Sequence, residues 1–239
     1  MRANRVKEVL VLGVFLFAGL AALGYLLGSS AIRIKQFERT VTVKGLAEKE
    51  VPADVAVWPI RFTAADNDLV ALYASLERDT AKIIHFLGNS GFDESEISVA
   101  APAITDKMAQ QYGGGEKAEL RYTAVQGVTV FTSKPDAVRR AMNKLVELGK
   151  QGIVFSGNGY QGNTQYLFTR LNDLKPEMIE EATRKAREVA EKFARDSDSR
   201  LGKIKSARQG QFSISDRDSS TPYIKNIRVV STVEYYLSD

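Results

Sequence analysis

The stretch 40-TVTVKGLAEKEVPADVAVWPIRFTA-64 contains two runs of strand-forming residues, separated by a predicted turn. Val41 and Val43 alternate with polar residues in the first run, and the second run is rich in β-branched and aromatic residues. The segment Pro52-Ala53-Asp54 between the runs predicts the turn. Pro59 lacks a backbone N–H group, so we expect it at an edge or a bulge of its strand. The stretch therefore predicts a pair of strands at the start of a folded body.

Two long helices are indicated further along the chain, each by apolar residues that recur every three or four positions. The first runs from about Leu69 to Leu87, and Asp66 is its predicted N-cap. Its recurring positions are Leu69, Leu72, Leu76, Thr80, Ile83 and Leu87. The second begins at Pro176 and ends near Arg200. We expect each helix to cover one face of a sheet. The residues that the spacing places on the inner face of the second helix are Ile179, Ala182, Ala186, Val189, Phe193 and Ser197.

Shorter elements complete the body. Residues 133–136 have the composition of a capped helix start and predict a short helix. The other strand-like runs are ISVAAPAI, YTAVQGVTVFT, QYLFTRL, KIKSARQGQFSI and NIRVVSTVEYYL. A strand, a long helix and two strands therefore occur twice in order, with QYLFTRL as the first strand of the second set. We predict an α+β fold in which long helices cover antiparallel sheets built from duplicated β-α-β-β units.

Residues 9–28, VLVLGVFLFAGLAALGYLLG, contain no charged side chain over twenty positions. A helix of this length rises about 30 Å, which matches the hydrocarbon core of a bilayer. The sequence therefore predicts a transmembrane anchor from Val9 to Gly28. It would follow a cytoplasmic tail at residues 1–8 and precede a linker at 29–37 and a body at 38–239.

A cleaved signal peptide is the alternative for this segment. Ser29 and Ala31 are small residues two positions apart, as a cleavage site prefers. The apolar part of a signal peptide is shorter, however, at about 7–15 residues. We therefore favour a retained anchor whose basic tail stays in the cytoplasm while the rest of the chain is exported.

Small residues lie along one face of the predicted span. Ala21, Gly24 and Gly28 share that face, and such faces let transmembrane helices approach closely. We therefore list these three residues as a candidate helix–helix contact. The alternative is that glycine and alanine are simply common in such helices.

The net charge of +4 comes from the N-terminal segment. Residues 1–35 carry five basic residues and one acidic residue, which leaves equal numbers of both in residues 36–239. A balanced body is not typical of a nucleic-acid-binding protein, so we expect no nucleic-acid partner. The chain has no cysteine, which excludes disulfides and a lipid-modified cysteine anchor.

We predict no catalytic, cofactor-binding or metal site. Gly157, Gly159 and Gly162 in the stretch GNGYQG match the dinucleotide-binding fingerprint, but a strand-like run follows where the motif requires a helix. The glycines at 113–115 lack the Lys-Ser/Thr ending of a phosphate loop. His85 is the only histidine and lies near the end of a predicted helix, where we expect a packing or charge role. A nucleotide-binding enzyme that uses GNGYQG is the least favoured alternative.

The motifs of the body resemble those of the SIMPL-domain proteins of bacterial envelopes. The stretch 40–64 is similar to their opening pair of strands, and GFDESEIS precedes the next strand. The resemblance continues through YTAVQGVTVFTSKPDAVRRAMNKLVELGKQGI and LKPEMIEEATRKAREVAEKFARDSDSRLGKI and extends to VEYYL. It covers about residues 38–237, nearly the whole body.

This resemblance implies an α+β fold in a periplasmic or membrane-anchored protein with no established enzymatic activity. It also implies an association with envelope stress, including oxidative stress, and assembly into large ring-like homo-oligomers. No catalytic residue can be transferred. The chain departs from many members by keeping an apolar helix and by its short loop at 215–225, SDRDSSTPYIK.

Together these features predict a non-enzymatic, cofactor-free protein of the bacterial inner membrane. We expect a single span, a body in the periplasm and a large homo-oligomer. The alternative is an adaptor or ligand-binding module for another envelope protein.

Overall fold

The computed structural model describes residues 2–36, 39–109, 119–156 and 164–238, which form five α-helices and ten strands. The helices are α1 (Arg2–Gln36), α2 (Leu69–Asn89), α3 (Pro135–Met142), α4 (Val146–Lys150) and α5 (Leu171–Asp196). The strands are β1 (Thr40–Pro52), β2 (Val55–Asp66), β3 (Ile97–Val99), β4 (Ala103–Asp106), β5 (Tyr122–Thr132), β6 (Val154–Phe155), β7 (Gln165–Leu167), β8 (Arg200–Gln209), β9 (Ser213–Asp216) and β10 (Ile224–Ser238). The predicted α+β class is confirmed.

The chain divides into two compact units. The α5 unit combines Met1–Glu48, Lys175–Ser213 and Arg228–Asp239. The α2 unit combines Lys49–Leu174 and Ile214–Ile227.

The α2 unit is built on a six-stranded antiparallel sheet in the order β3-β5-β2-β6, in which β4 also pairs with β5 and β7 also pairs with β2. Strands β2 and β5 form its centre, in register from Ala56 opposite Thr132 to Asp66 opposite Tyr122. Helix α2 packs against both strands. Its buried residues are Leu72, Leu76, Ile83 and Leu87, which the helical spacing predicted.

A second sheet has the order β1-β10-β8, and β9 also pairs with β10. Strand β8 runs antiparallel to β10. Val43, Val233 and Tyr235 pack against Ala186 and Ala190 of α5. Helix α5 therefore covers one face of this sheet, as the sequence predicted for a long helix.

Strands β1 and β2 do not form the predicted pair, because β1 belongs to the four-stranded sheet and β2 to the six-stranded sheet. The turn between them explains the difference. The N–H group of Ala53 donates to the Tyr223 carbonyl at 2.8 Å, and that of Asp54 donates to the Leu167 carbonyl at 2.9 Å. The backbone of the turn is thus satisfied by other segments instead of closing a hairpin.

The predicted duplication is present in the strand pairing, with one change. In each sheet the strand that follows the long helix, β3 or β8, pairs with the last strand, β5 or β10, which in turn pairs with a first strand. That first strand is β2 in the six-stranded sheet and β1 in the four-stranded sheet. The run QYLFTRL was expected to fill this position, but it forms only the three-residue β7, which pairs with β2.

Helix α5 differs from its prediction at its start and along its buried face. It begins at Leu171, so Pro176 lies inside its first turns, where a proline removes at most one intrahelical hydrogen bond. Val189 and Phe193 were expected in the core but are 40% and 55% exposed. The smaller alanines take the inner positions because they let the helix approach the sheet closely. The buried residues are Met178, Ala182, Ala186, Ala190 and Ala194.

Two predicted helix starts also differ. The N-cap of α2 is Asp68 and not Asp66, since the Asp68 carboxylate accepts the N–H of Ala71 at 2.8 Å. Asp66 instead accepts the N–H of Asp68 at 3.0 Å. Helix α3 begins with Pro135 and has no side-chain cap, so the capped start predicted at residues 133–136 was wrong.

Pro59 lies at a local edge of β2, as expected for a residue without an N–H group. On one side β2 pairs with β5 along its length. On the other side, among the described residues, pairing with β7 ends at Val57 and pairing with β6 begins at Phe62. Pro59 falls between these two short strands.

Glu96 links a 3-10 turn, Glu94–Glu96, to the end of β5. Its carboxylate accepts hydrogen bonds from the Thr132 hydroxyl at 2.6 Å, the Asp93 N–H at 2.9 Å and the Lys134 ammonium at 3.2 Å. Partial burial alone would raise the pKa of Glu96, but these hydrogen bonds, led by that from Thr132, together lower it below its ordinary value. Folding therefore favours the ionised carboxylate.

We expect Glu96→Gln to lower the free energy of unfolding by about 1–2 kcal/mol at neutral pH, because it removes hydrogen bonds to a charged group. A carboxylate whose pKa is lowered by folding stabilises the protein above its unfolded pKa, and this stabilisation is lost as the pH falls through the folded pKa. The difference between wild type and Glu96→Gln in urea unfolding should therefore shrink on acidification to about pH 3. Glu94→Gln changes an exposed residue of the same turn and should have no effect at either pH. A difference of constant size between wild type and Glu96→Gln would contradict this account.

Candidate functional site

Helix α1 is long and apolar enough to cross a membrane. Its segment Gly13–Ser30 has a mean hydropathy of 1.6, and none of this segment is buried against the rest of the described chain. Large side chains along it are open, with Phe15 75% and Tyr25 77% exposed. The Ser29 hydroxyl donates to the Leu26 carbonyl at 3.0 Å, which satisfies this polar group within the helix. Because a signal sequence meets the same criteria, the helix is a candidate span.

The residues predicted for the span and its contacts all lie in α1. The helix includes Val9 and continues to Gln36, through most of the residues interpreted as a linker. Ala21, Gly24 and Gly28 are exposed, and a Cβ added to either glycine would meet nothing within 4 Å. A helix–helix contact through these residues therefore stays a prediction.

The α5 side of the four-stranded sheet exposes three large apolar residues, which we call the apolar flank. Ile204 of β8 stands opposite Tyr235, whose side chain packs under α5, so Ile204 points to the same side of the sheet. Ile204 is 49% exposed, and Val189 and Phe193 of α5 are 40% and 55% exposed. Large exposed apolar residues on the same side of a sheet make that side a candidate interaction surface.

The opposite face of this sheet carries several exposed basic side chains. Side chains alternate along a strand, so Thr232 and Glu234 point away from α5 while Val233 and Tyr235 point toward it. The register of β8 with β10 and the alternation along β1 assign further residues to this open face. Its basic residues, which define what we call the basic face, are Lys44, Arg200, Lys205, Arg208 and Arg228.

Two acidic residues lie among these basic groups. Glu48 is 3.5 Å from Arg228, and Glu234 is 3.2 Å from Lys205. Hydrogen bonds from Thr40 and then Lys205 lower the pKa of Glu234, so its carboxylate stays ionised. Each of these acidic groups neutralises one basic partner. The remaining basic residues give the basic face an excess of positive charge.

Lys44, Arg200 and Arg208 form no ion pair with any residue in the described parts of the chain. The sequence carries one signal for this surface. Strand β8, RLGKIKSARQ, has four basic residues and no acidic one. The face to which each side chain points depends on the register with β10, which the sequence does not show.

A cleft of about 300 Å³ in the α2 unit is lined in part by Arg139, Asn143, Tyr166 and Tyr223. The Arg139 guanidinium lies over the Tyr223 ring, 3.7 Å from its centroid. The rings of Tyr166 and Tyr223 meet edge to face with centroids 6.1 Å apart. Burial raises the pKa of Tyr166, which keeps its phenol neutral. The cleft thus combines aromatic surface with a cationic group, which suits a small polar ligand or a partner side chain.

The short loop at 215–225 is held by Asp218. Its carboxylate accepts hydrogen bonds from the Thr221 hydroxyl, from the Arg217 guanidinium at 3.0 Å and from the N–H groups of Ser220 and Thr221 at 2.8 Å. These bonds, led by that from Thr221, lower the pKa of Asp218 to about 2. The loop is therefore organised by its own side chains.

Other residues considered in the sequence occupy ordinary positions or lie outside the described structure. His85 is exposed on α2, with its Nδ1 atom 3.2 Å from the amide nitrogen of Asn89. Residues 157–162, the GNGYQG motif, and the glycines at 113–115 lie outside the described residues. Within the described ranges no group of three His, Cys, Asp or Glu side chains is placed to hold a metal ion.

Comparison with known proteins identifies the family of the chain. The sequence model of the SIMPL family, described as a protein of unknown function (DUF541), matches residues 41–235. A search of the curated proteins found no match. The matched range begins in β1 and ends in β10, so it includes the strands of both sheets and both long helices that cover them. The chain therefore belongs to the SIMPL family, whose function is unknown.

Proposed function

We propose that this SIMPL protein is a single-pass protein of the bacterial inner membrane. Residues 9–28 anchor it, residues 1–8 form a cytoplasmic tail, and residues 29–37 join the span to a periplasmic body at 38–239. The exposed apolar surface of α1 supports this proposal because such a surface is stable in lipid and not in water. Its twenty uncharged residues also exceed the apolar part of a signal peptide.

The role of the body in this proposal is non-enzymatic self-assembly into a large homo-oligomer, in connection with envelope or oxidative stress. The apolar flank is the observation that carries it. Val189, Phe193 and Ile204 keep between 40% and 55% of their surface open. Burial of these side chains against a second copy would remove apolar area from water, which drives most protein association. Ile204 lies on an edge strand, and such a strand also offers free backbone groups to a partner.

We expect the full-length protein, purified in detergent, to have a multimeric mass by light scattering at micromolar concentration. Phe193→Glu should shift this mass toward the monomer, because a charge in an apolar contact is costly to bury. The expected loss of affinity is at least about tenfold, which corresponds to about 1.4 kcal/mol.

Val70→Glu provides the matched control. Val70 is 78% exposed on α2, so the same charge is introduced at an exposed helical valine outside the apolar flank. This variant should keep the wild-type mass. A monomeric wild type would refute self-assembly, and equal masses for wild type and Phe193→Glu would refute the role of the flank.

The second candidate function is an adaptor or ligand-binding module for another envelope protein. The cleft around Arg139 and Tyr223 favours it, because a cation held over an aromatic ring offers a defined polar contact. A monomeric wild type in the scattering experiment would favour this alternative. A nucleotide-binding enzyme built on residues 157–162 stays the least favoured reading.

A further inference from the structure

The basic face concentrates charge in a body that is otherwise balanced. Residues 36–239 contain equal numbers of acidic and basic residues, yet the part of this face that belongs to the α5 unit carries five basic residues and two acidic ones. Both acidic residues already have basic partners, Arg228 and Lys205. Lys44, Arg200 and Arg208 are left facing solvent. A surface of this kind attracts an extended anionic partner, with a reach of about 10 Å at 0.1 M salt.

The length of the chain between the span and the sheet limits where such a partner would be met. The apolar segment ends at Ser30, and α1 continues to Gln36, which is about 9 Å farther along the helix axis. The backbone from Gln36 to Thr40, the first residue of β1, covers at most about 14 Å. The sheet therefore begins within about 23 Å of the end of the span, and the nearest extended anion for a protein anchored by α1 is the lipid surface itself.

The polar composition of the face also suits a bilayer surface. Thr42 is exposed beside Lys44, and Tyr236 is 40% exposed beside Lys205, whose ammonium lies 5.9 Å from the centre of the tyrosine ring. Tyrosine and lysine are side chains that favour the headgroup region, with an apolar body and a polar end. The aliphatic residues that the alternation places on this face, Leu46 and Val230, are only partly exposed, so the face does not require deep insertion.

We propose that the basic face docks on the anionic headgroups of the bilayer that holds α1. The proposal rests on the retained anchor of the proposed function, because a body released from the membrane would not be held near it. Docking would lay the four-stranded sheet against the lipid and leave the apolar flank, on the other side of the sheet, open to a second copy.

The absence of cysteine allows a direct test with the full-length protein. Thr42→Cys places a single fluorophore on the basic face, and Lys192→Cys places one on the exposed surface of α5. Each labelled protein is reconstituted into nanodiscs of phosphatidylcholine alone, or of equal parts of phosphatidylglycerol and phosphatidylcholine. A small fraction of the lipid carries a nitroxide on its headgroup, which quenches nearby fluorophores. Co-elution of protein and nanodisc reports the anchor, and quenching reports docking.

The label at Thr42→Cys should be quenched at least about twofold more in anionic than in zwitterionic nanodiscs. About 1 M NaCl, which shortens the Debye length to about 3 Å, should remove this difference. The label at Lys192→Cys should show no dependence on lipid charge. These comparisons use the wild-type basic residues, so they do not depend on whether a charge variant folds.

Charge-reversal variants then identify the basic residues that bind the anionic headgroups. The triple variant Lys44→Glu, Arg200→Glu and Arg208→Glu should lose the difference between the two lipids. The matched control, Arg140→Glu, Lys144→Glu and Lys150→Glu, changes the same charge at three exposed residues of the α2 unit and should keep it.

The outcomes separate this proposal from the one on which it rests. Failure of the chain to co-elute with nanodiscs would refute the retained anchor. Co-elution with equal quenching of the Thr42→Cys label in both lipids, or with no quenching in either, would overturn docking while leaving the anchor intact. Equal loss of quenching in both triple variants would also overturn the assignment to the basic face.

Discussion

Gly45→Ala is expected to lower the free energy of unfolding by about 3 kcal/mol or more. Gly45 lies in β1 under helix α5, where a Cβ would overlap the carbonyl oxygen of Ala182 and lie 2.5 Å from the backbone nitrogen of Ala186. Both atoms belong to the backbone of a long helix, so neither can move aside without shifting the helix. Overpacking of this kind typically costs about 1–3 kcal/mol, and more where the neighbour is rigid. Urea unfolding in detergent, followed by circular dichroism, measures the effect.

Gly127→Ala is the control for this substitution. Gly127 also lies in a strand, β5, but a Cβ there would be 4.0 Å from the Cβ of Ala100, which is an ordinary contact. This variant should change the free energy of unfolding by less than about 1 kcal/mol, since alanine only restricts the unfolded chain further. If Gly45→Ala lowered the free energy of unfolding as little as Gly127→Ala, α5 would not approach β1 as closely as the structure describes.

Trp58→Ala should lower the free energy of unfolding by about 3–5 kcal/mol, the usual range for truncation of a buried aromatic residue. Trp58 is 1% exposed at the centre of β2 and meets Phe92 edge to face, with ring centroids 6.4 Å apart. Its removal would leave a cavity among the buried residues of α2, β2 and β5. Trp58 is also the only tryptophan, so circular dichroism and not intrinsic fluorescence must follow unfolding.

Phe131→Ala tests whether burial, and not aromatic character, determines this loss. Phe131 lies on the neighbouring strand β5, opposite Val57, and is 59% exposed. Its truncation should cost less than about 1 kcal/mol. An effect as large as that of Trp58→Ala would mean that Phe131 is buried in solution, for example against a second copy of the chain.

Most elements of the fold could be predicted from local patterns. The spacing of Leu72, Leu76, Ile83 and Leu87 located α2 because a helix that covers a sheet buries one continuous stripe. The same spacing placed Ala182 and Ala186 correctly on the inner face of α5 but wrongly added Val189 and Phe193. Val189 and Phe193 are more apolar than alanine, but close contact with Gly45 requires the smallest side chains. That requirement comes from a strand more than one hundred residues away in sequence, so no local pattern could show it.

The pairing of the strands was the part of the fold that the sequence predicted least well. The short turn at Ala53 and Asp54 predicted a pair between β1 and β2. The N–H groups of these two turn residues instead donate to the carbonyl groups of Tyr223 and Leu167, which are distant in sequence. The basic face could not be predicted from the sequence for the same reason. Its charges come from β1, β8 and β10, and the overall balance of the body gave no indication that they share one surface.

The central claim is that the body works at the membrane in which its own N-terminal helix remains. The most direct test is the intact mass of the protein recovered from the membrane fraction of expressing cells after an alkaline carbonate wash. We predict a chain that keeps residues 1–30 and stays with the membrane through the wash. A chain shortened near Ala31 and found in the soluble fraction would contradict it.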